Sequence, residues 1–434
     1  MSPTPVPGRP AAPVVARTAP SGGVVVRTGP DACPTALQVH AAADGGLARV
    51  RIPGGVVTAD QARVLARAAR ELGDGHLDQT SRGNLQLRAL PPGAETELGA
   101  RLAEAGLLPS ATHERARNIV ASPLSGLDGA GLADVRPLIG ELDAALCAAP
   151  ALAALSGRFL FALDDGRGDV AALHADICLA AVAGGGFALL LDGVDHGVRT
   201  PAGDAPGLAV AAAEAFLAER AAQGSAGWRM SEIDQGATRV AARLGATAAP
   251  VRERRDPPAP PAGVIGSGAA LAVIVPLGRI SAGQLDLLAD LAAEGAGELR
   301  FTPWRGVVVP GPADAARPAA AGLVTGTDSP WYGVTACAGR PGCAKSRADV
   351  RADATAVVAL DPPRVAPRAL PVHWAGCERA CGHPATPHVL VLATPGGYRV
   401  DGSDDQTAAD LDRLAAVVAG ARTNPTYPAQ ETGA

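Results

Sequence analysis

The sequence predicts an α+β protein in which one strand-and-helix module occurs twice, each copy followed by a longer α/β segment, with a pseudo-twofold axis relating the halves. Three observations carry this reading. An internal repeat matches the segment beginning at Leu47 to the one beginning at Leu271. Each copy shows the same order of strand, capped helix, strand and strand. A Pro-rich, charged stretch stands between the halves.

Taken in order, residues 1–30 are rich in Pro, Ala and Gly and are expected to form a disordered tail. They hold no apolar run followed by a small-residue cleavage pattern, so they do not read as a signal peptide. The first module, residues 31–100, contains "LARVRIPGGVVTADQARVLARAARELGDGHLDQTSRGNLQL". Its β-rich run stops at Pro53, and Thr58 is placed to cap a helix with Leu and Ala at helical spacing. Two short strands follow, joined by a tight turn at Arg82-Gly83. The second module, residues 264–325, contains "LAVIVPLGRISAGQLDLLADLAAEGAGELRFTPWRGVVV". With a one-residue slip, Pro276, Ser281, Gln284 and Thr302 match Pro53, Thr58, Gln61 and Thr80, and Arg305-Gly306 matches Arg82-Gly83. Each unit is about half of a ferredoxin-like module, and the two halves are expected to pair into one sheet.

The α/β segments run over residues 111–245 and 328–430, with the linker "AAPVRERRDPPAPPAG" at 248–263 between the halves. "ARNIVASP" in the first and "YGVTACAG" in the second read as equivalent turns, Ser122 standing near the place of Cys337.

At 434 residues the chain has room for two to four domains, and with 47% hydrophobic and 19% charged residues it has ample material for packed cores. A net charge of −5 and a pI near 5.9 exclude a general attraction to nucleic acid or anionic membrane. No stretch approaches ~18 uninterrupted apolar residues, so a membrane span is not expected. A cytoplasmic protein is. There thiols stay reduced, and paired cysteines read as metal ligands or redox groups.

Four of the seven cysteines form two pairs, Cys337 with Cys343 in "TACAGRPGCAKS" and Cys377 with Cys381 in "HWAGCERACGHP". Three readings are open. Cys377 and Cys381 suit a structural zinc site, but the gap between Cys337 and Cys343 is wide for one. Ordinary buried cysteines would not concentrate in two Gly- and Pro-containing loops. A [4Fe-4S] cube takes one thiolate per iron from four directions, and unequal gaps filled with turn-forming residues suit it best. Cys33, Cys147 and Cys178 stand alone and read as structural.

These spacings, with "RVRIPGGVVTADQ", "TSRGNLQLR" and "RNIVASPLSG", resemble the sulfite and nitrite reductase family over nearly all of residues 31–430. The resemblance implies two α/β domains of sulfite/nitrite-reductase type around the duplicated half-domains. It also implies a cluster on Cys337, Cys343, Cys377 and Cys381, with a sirohaem sharing Cys381. The family's K-F-K stretch, which holds and protonates sulfite or nitrite, corresponds here to Arg158, Phe159 and Leu160. Leucine donates no proton and neutralises no anion, and arginine is a poor proton donor at neutral pH. Six-electron reduction of a small anion therefore fits this chain poorly.

"FALDDG", "FTPWRG" and "AGCERACGHP" are similar instead to the precorrin-3B synthase branch of that family, in aerobic cobalamin synthesis. That branch implies a monooxygenase-type oxidoreductase whose tetrapyrrole, precorrin-3A, is the substrate. O2 hydroxylates it and a ring acetate closes to a lactone. The implied cofactors are a [4Fe-4S] cluster and either sirohaem or a further iron, with electrons from a ferredoxin or an NAD(P)H-dependent reductase. A sirohaem-dependent sulfite or nitrite reductase, and a non-catalytic tetrapyrrole-binding or electron-carrying protein, are the alternatives.

A substrate rich in acetate and propionate needs fixed cations, and Arg51, Arg82, Arg117, Arg158 and Arg305 lie in family-matching loops or strand ends. No catalytic residue is assigned. His373, His383 and His388 flank the cysteine loops, and His174 with Asp176 makes an H-x-D pair, patterns that are more often structural than ligating. "GSGAAL" at 266–271 imitates a dinucleotide fingerprint but leads into a strand, the wrong context for a phosphate-binding helix.

Overall fold

The computed structural model describes residues 31–423 except 32, 247–250, 252–260, 361–368, 385 and 402–409. The expected tail at 1–30 and most of the expected linker at 248–263 lie outside the described residues.

The first module contains β1 (His40–Ala42), β2 (Gly45–Val50), β3 (Val56–Thr58), α1 (Ala59–Leu72), β4 (His76–Gln79), β5 (Leu85–Leu90) and α2 (Ala94–Glu104). The first α/β segment follows with β6 (Ile119–Ala121), α3 (Arg136–Ala148), β7 (Phe161–Asp164), β8 (Ile177–Ala181), β9 (Phe187–Leu191) and β10 (Val194–Thr200). It closes with α4 (Ala205–Ala222) and α5 (Gly236–Arg243). The second module contains β11 (Gly263–Ile265), β12 (Ala270–Ile274), β13 (Arg279–Ser281), α6 (Ala282–Glu294), β14 (Glu298–Phe301), β15 (Gly306–Pro310) and α7 (Ala316–Ala320). The last segment contains β16 (Val334–Ala336), α8 (Val350–Leu360), β17 (Val372–Ala375), β18 (Val389–Thr394), β19 (Gly397–Val400) and α9 (Leu411–Thr423).

Both expected helix starts are present as reciprocal capping boxes. Thr58 Oγ1 accepts the Gln61 N–H at 3.1 Å while Gln61 Oε1 accepts the Thr58 N–H at 3.0 Å. Ser281 and Gln284 repeat this at 3.1 and 2.9 Å. The two helices pack against each other over a core shared by both modules, in which Leu65, Leu77, Leu285 and Leu299 are all fully buried. Ion pairs from Arg63 to Asp290 and from Arg70 to Asp286 cross the exposed side of the α1–α6 contact.

The modules do not pair into one sheet. They form two five-stranded sheets, ordered β1-β2-β5-β4-β13 and β11-β12-β15-β14-β3, so each takes one short strand from the other half. The turn at Pro53–Gly55 explains the departure. Gly54 and Gly55 adopt φ of 62° and 73°, conformations favoured by glycine, and swing the chain off its own sheet. A side chain at Gly55 would meet the Phe301 carbonyl oxygen at 2.0 Å, so the crossing depends on this close approach. Then β3 pairs antiparallel with β14, Val57 opposite Leu299, and β13 pairs with β4, Ile280 opposite Leu77.

The α/β segments also correspond. In the first, β6, β7 and β8 are parallel and β9 is antiparallel; in the second, β16, β17 and β18 are parallel and β19 antiparallel. Residues 266–269 form the turn of the β11–β12 hairpin, so "GSGAAL" opens no helix. Among the described residues no helix is long and apolar enough to cross a membrane.

Candidate cysteine centre and arginine cradle

The parallel strands β16 and β17 aim their C-terminal ends at one place, and the cysteines lie just beyond them. Cys337 is the first residue after β16, and its N–H donates to the Trp374 carbonyl of β17 at 2.9 Å. Gly376, the first residue after β17, donates its N–H to Cys337 Sγ at 3.2 Å. A side chain at Gly376 would lie 1.9 Å from Ser346 Oγ, so the approach of the two cysteine loops requires glycine. The Cys343 loop is tied down by the Ser346 N–H on the Cys343 carbonyl at 3.0 Å, and by Arg88 of β5, which donates to the Gly342 carbonyl. The Cys377 carbonyl in turn accepts the Ala380 N–H at 3.0 Å.

All four thiols are free of disulfides, and they share one locality. Burial pushes the Cys381 thiol up, and the nearby sulfurs of Cys337, Cys377 and Cys343 push it further. Four thiolates in one place repel each other unless a cationic metal centre takes them as ligands. The Gly376 N–H directed at a sulfur is the kind of donor that tunes an iron–sulfur cluster. The residues therefore fit such a group.

A second concentration of charge surrounds Gly157. Arg51, 1% exposed, donates Nη2 to the Gly157 carbonyl and Nη1 to Asn118 Oδ1, both at 3.0 Å. Asn118 also accepts from Asn84 Nδ2 at 3.0 Å, and Asn84 Oδ1 accepts the Ile52 N–H at 2.9 Å, which locks the strand ends together. Arg82 donates to the same Gly157 carbonyl at 3.4 Å. Burial, then Arg49 and Arg82, pull the Arg51 guanidinium down to about 9. Burial, then Arg229, with Arg49 and Arg158 adding to it against the opposing pull of Asp176, take Arg82 to about 10. Guanidinium groups do not give up their proton in ordinary proteins. Burial is the larger cause of both shifts, and the neighbouring guanidiniums add to it, a crowding of positive charge that an anionic ligand would relieve.

Arg51, Arg82 and Arg158 of the expected set thus come together. Arg49 and Arg229 join them and were missed from sequence. Arg49 precedes Arg51 by two residues and so shares its face of the strand, a signal that was available. Arg229 gave none. It is held by Asp176, Nε to Oδ2 at 2.9 Å, and donates Nη2 to the His174 carbonyl at 2.7 Å. The H-x-D pair is therefore not a ligand pair. Its Asp176 is buried and also accepts the Leu160 N–H at 2.8 Å and the Met230 N–H at 2.6 Å.

Arg117 does not belong to the cradle. Its Nε and Nη2 bind Asp143 at 2.7 and 2.8 Å and its Nη1 the Leu107 carbonyl at 3.0 Å, so its charge is already met by a bidentate carboxylate. Arg305 sits in the other half, buried against the cysteine loop, where it donates to the Gly382 carbonyl. It is not the counterpart of Arg82. Thr80 N–H bonds the Asn84 carbonyl and Gly83 N–H the Thr80 carbonyl; Thr302 and Arg305 repeat this with Gly306 and Thr302. Arg305, at φ 59°, therefore fills the turn position of Gly83, at φ 69°, and Trp304 stands in the place of Arg82. The shared Arg-Gly dipeptide misaligns the turns by one residue.

Leu160 is 3% exposed and packs with Val170, Ala175 and Cys178. The place of the second lysine of K-F-K is thus closed by an apolar side chain. Of the lone cysteines, Cys178 packs in that same core. Cys33 lies at the cradle edge, its Cβ within 3.1 Å of where a Gly157 side chain would begin.

The nitrite/sulfite reductase ferredoxin-like half domain matches residues 40–105 and 266–323. The chain is 28% identical over 388 residues to a precorrin-3B synthase of Sinorhizobium sp, covering 87% of this chain and 83% of that one. It is 29% identical over 413 residues to a ferredoxin–nitrite reductase of Synechococcus elongatus, covering 82% and 78%. In structure it matches the NirA protein of Mycobacterium tuberculosis with a TM-score of 0.67 at 23% identity, over 82% of this chain and 74% of that one. The chain thus has the sulfite/nitrite reductase fold, carries that family's ferredoxin-like half domain twice, and is similar over most of its length to a precorrin-3B synthase.

Proposed function

We propose that the chain is a cytoplasmic oxidoreductase that performs the precorrin-3B synthase reaction, O2-dependent hydroxylation of precorrin-3A with closure of a ring acetate to a lactone. Cys337, Cys343, Cys377 and Cys381 hold a [4Fe-4S] cluster, which supplies electrons one at a time. Arg51, Arg82 and Arg158, with Arg49, clamp the substrate's carboxylates through charge-assisted hydrogen bonds, while Arg229 stays paired with Asp176 at the edge of the cradle. Arg305 meets the macrocycle from the cluster side. A separate ferredoxin or NAD(P)H-dependent reductase feeds the cluster, and sirohaem or a further iron completes the centre.

The observation that carries this reading is the crowding of guanidinium groups around Gly157, which suits a polycarboxylate better than a small oxyanion. The similarity to the Sinorhizobium precorrin-3B synthase supports it. So does Leu160, which cannot protonate sulfite or nitrite.

The similarity to ferredoxin–nitrite reductases favours a second reading, a sirohaem-dependent sulfite or nitrite reductase. Anaerobically purified protein separates them. A broad iron–sulfur absorption without an intense haem band, and conversion of precorrin-3A only when O2 is admitted, are the expected results. A sirohaem band with rapid sulfite or nitrite consumption would establish the reductase instead. Tetrapyrrole binding with no turnover under either condition would leave a passive carrier.

A further inference from the structure

The turn between β14 and β15 faces two ways. Arg305 reaches the loop after Cys381, where it donates to the Gly382 carbonyl. Trp304, the residue before it, packs against the apolar cluster of Leu160, Val170, Ala175 and Cys178 in the first half. Leu160 stands two residues from Arg158, one of the cations crowding Arg82. A single turn of the second half thus links the cysteine centre to the arginine cradle, and a ligand that meets both lies along it.

Trp304 is half-buried, and no described residue accepts a hydrogen bond from its indole N–H. A covered tryptophan ordinarily gives that proton to a partner. In the first half the same turn position carries Arg82. The two turns therefore offer a cation from one side and an aromatic face with an unused donor from the other. A tetrapyrrole has a place for each. Its rim carries carboxylates, which the arginines meet, and its faces are broad and apolar, which a ring covers best. Phe159 packs against Phe161 and Phe216 in the core on the other face of the sheet, so these rings cannot supply that contact.

We propose that Trp304 selects a tetrapyrrole from among polycarboxylates, its ring lying against a face of the macrocycle and its N–H donating to a rim carboxylate. This rests on the tetrapyrrole reading of the cradle and adds the contact that tells a macrocycle from any other polyanion. Charge-assisted hydrogen bonds reward carboxylates whatever carries them, so the arginines alone accept a flexible polyanion as readily. An indole rewards only a ligand with a flat face.

The test uses the full chain with its cluster in place and two probes, measured by anaerobic equilibrium dialysis. Uroporphyrin is a macrocycle rimmed with acetate and propionate, and a short oligoglutamate peptide offers carboxylates without a ring. Trp304→Ala should weaken uroporphyrin binding about tenfold and leave oligoglutamate binding and the cluster iron unchanged. Trp304→Phe, which keeps a ring and loses the N–H, should fall between Trp304→Ala and the wild type. Arg82→Ala should weaken both probes. Equal uroporphyrin affinity in the wild type and Trp304→Ala overturns the proposal and leaves the tetrapyrrole reading standing. Equal loss of both probes in Trp304→Ala marks a merely structural residue and overturns it too. A wild type that takes oligoglutamate but refuses uroporphyrin removes the tetrapyrrole reading and this proposal with it.

Discussion

Ser122 occupies in the first half the place that Cys337 occupies in the second. Each directly follows the outer parallel strand of its sheet, and each donates its N–H to the neighbouring strand, to Leu163 at 3.0 Å and Trp374 at 2.9 Å. Ser122 Oγ donates to Asp169 Oδ1 at 2.6 Å. The loop after β7 carries Asp165, Arg167 and Asp169 where the loop after β17 carries Cys377 and Cys381. Asp164, Asp165 and Asp169 bring oxygens within 4.8 Å of one another, but their neighbours already use them. Asp164 accepts three backbone N–H groups at 2.9 Å, and Arg167 bridges Asp165 and Asp128. The first half thus fills with internal ion pairs the space where the second gathers thiols.

Asp169 carries the first prediction. Burial, and next Asp164, raise its carboxyl from 3.8 to about 7. Between those values the folded protein holds a proton that the unfolded chain has lost. This contribution to stability is therefore complete below about 3.8, falls as pH rises toward 7, and is gone above it. The slope is at most about 1.4 kcal/mol per pH unit. Asp169→Asn, which keeps an acceptor for Ser122, should flatten it, as urea midpoints of both proteins between pH 5 and 8 will register.

Cys337→Ser and Cys377→Ser should each cost the protein most of its iron, its inorganic sulfide and its broad visible absorption. Cys147→Ser, at the end of α3, should retain all three. Anaerobic iron and sulfide analysis distinguishes the two outcomes.

Arg82→Ala should weaken binding of a polycarboxylate tetrapyrrole by about 1.5–3 kcal/mol, the worth of a hydrogen bond to a charged group, and leave the cluster intact. Arg117→Ala should act on the fold instead. It strands Asp143, only 16% exposed, without its partner, a loss of about 3–5 kcal/mol in stability. Fluorescence titration and denaturant unfolding of both variants separate ligand contact from scaffold.

Gly55→Ala should destabilise the protein by several times more than Gly75→Ala. Both glycines have positive φ, 73° and 80°, so both substitutions incur the left-handed penalty of about 1–2 kcal/mol. Only at Gly55 does a side chain also strike backbone, the Phe301 carbonyl oxygen; around Gly75 there is nothing within 4 Å. The difference in unfolding free energy between the two variants isolates the cost of disturbing the strand crossing.

The repeat, both capping boxes and the meeting of the four cysteines were legible because each depends on local chemistry or on a spacing that survives in one dimension. The exchange of β3 and β13 was not, since three-residue strands carry no record of a partner more than two hundred positions away. The Arg-Gly dipeptide misled because residue identity and turn geometry had drifted apart: the second copy holds arginine where the first holds glycine. Arg117 looked like a ligand-binding cation because sequence shows a charge but not the Asp143 that neutralises it.

The exchanged strands bear on ancestry. A forebear with a single module could not complete its own sheet, and its bare edge would have been met only by an identical chain lending the same strand in return. Such a homodimer would have borne two equal centres, one beside each subunit. Two such copies joined in one chain are free to differ, so serine and aspartate can stand on one side of an axis whose other side carries sulfur.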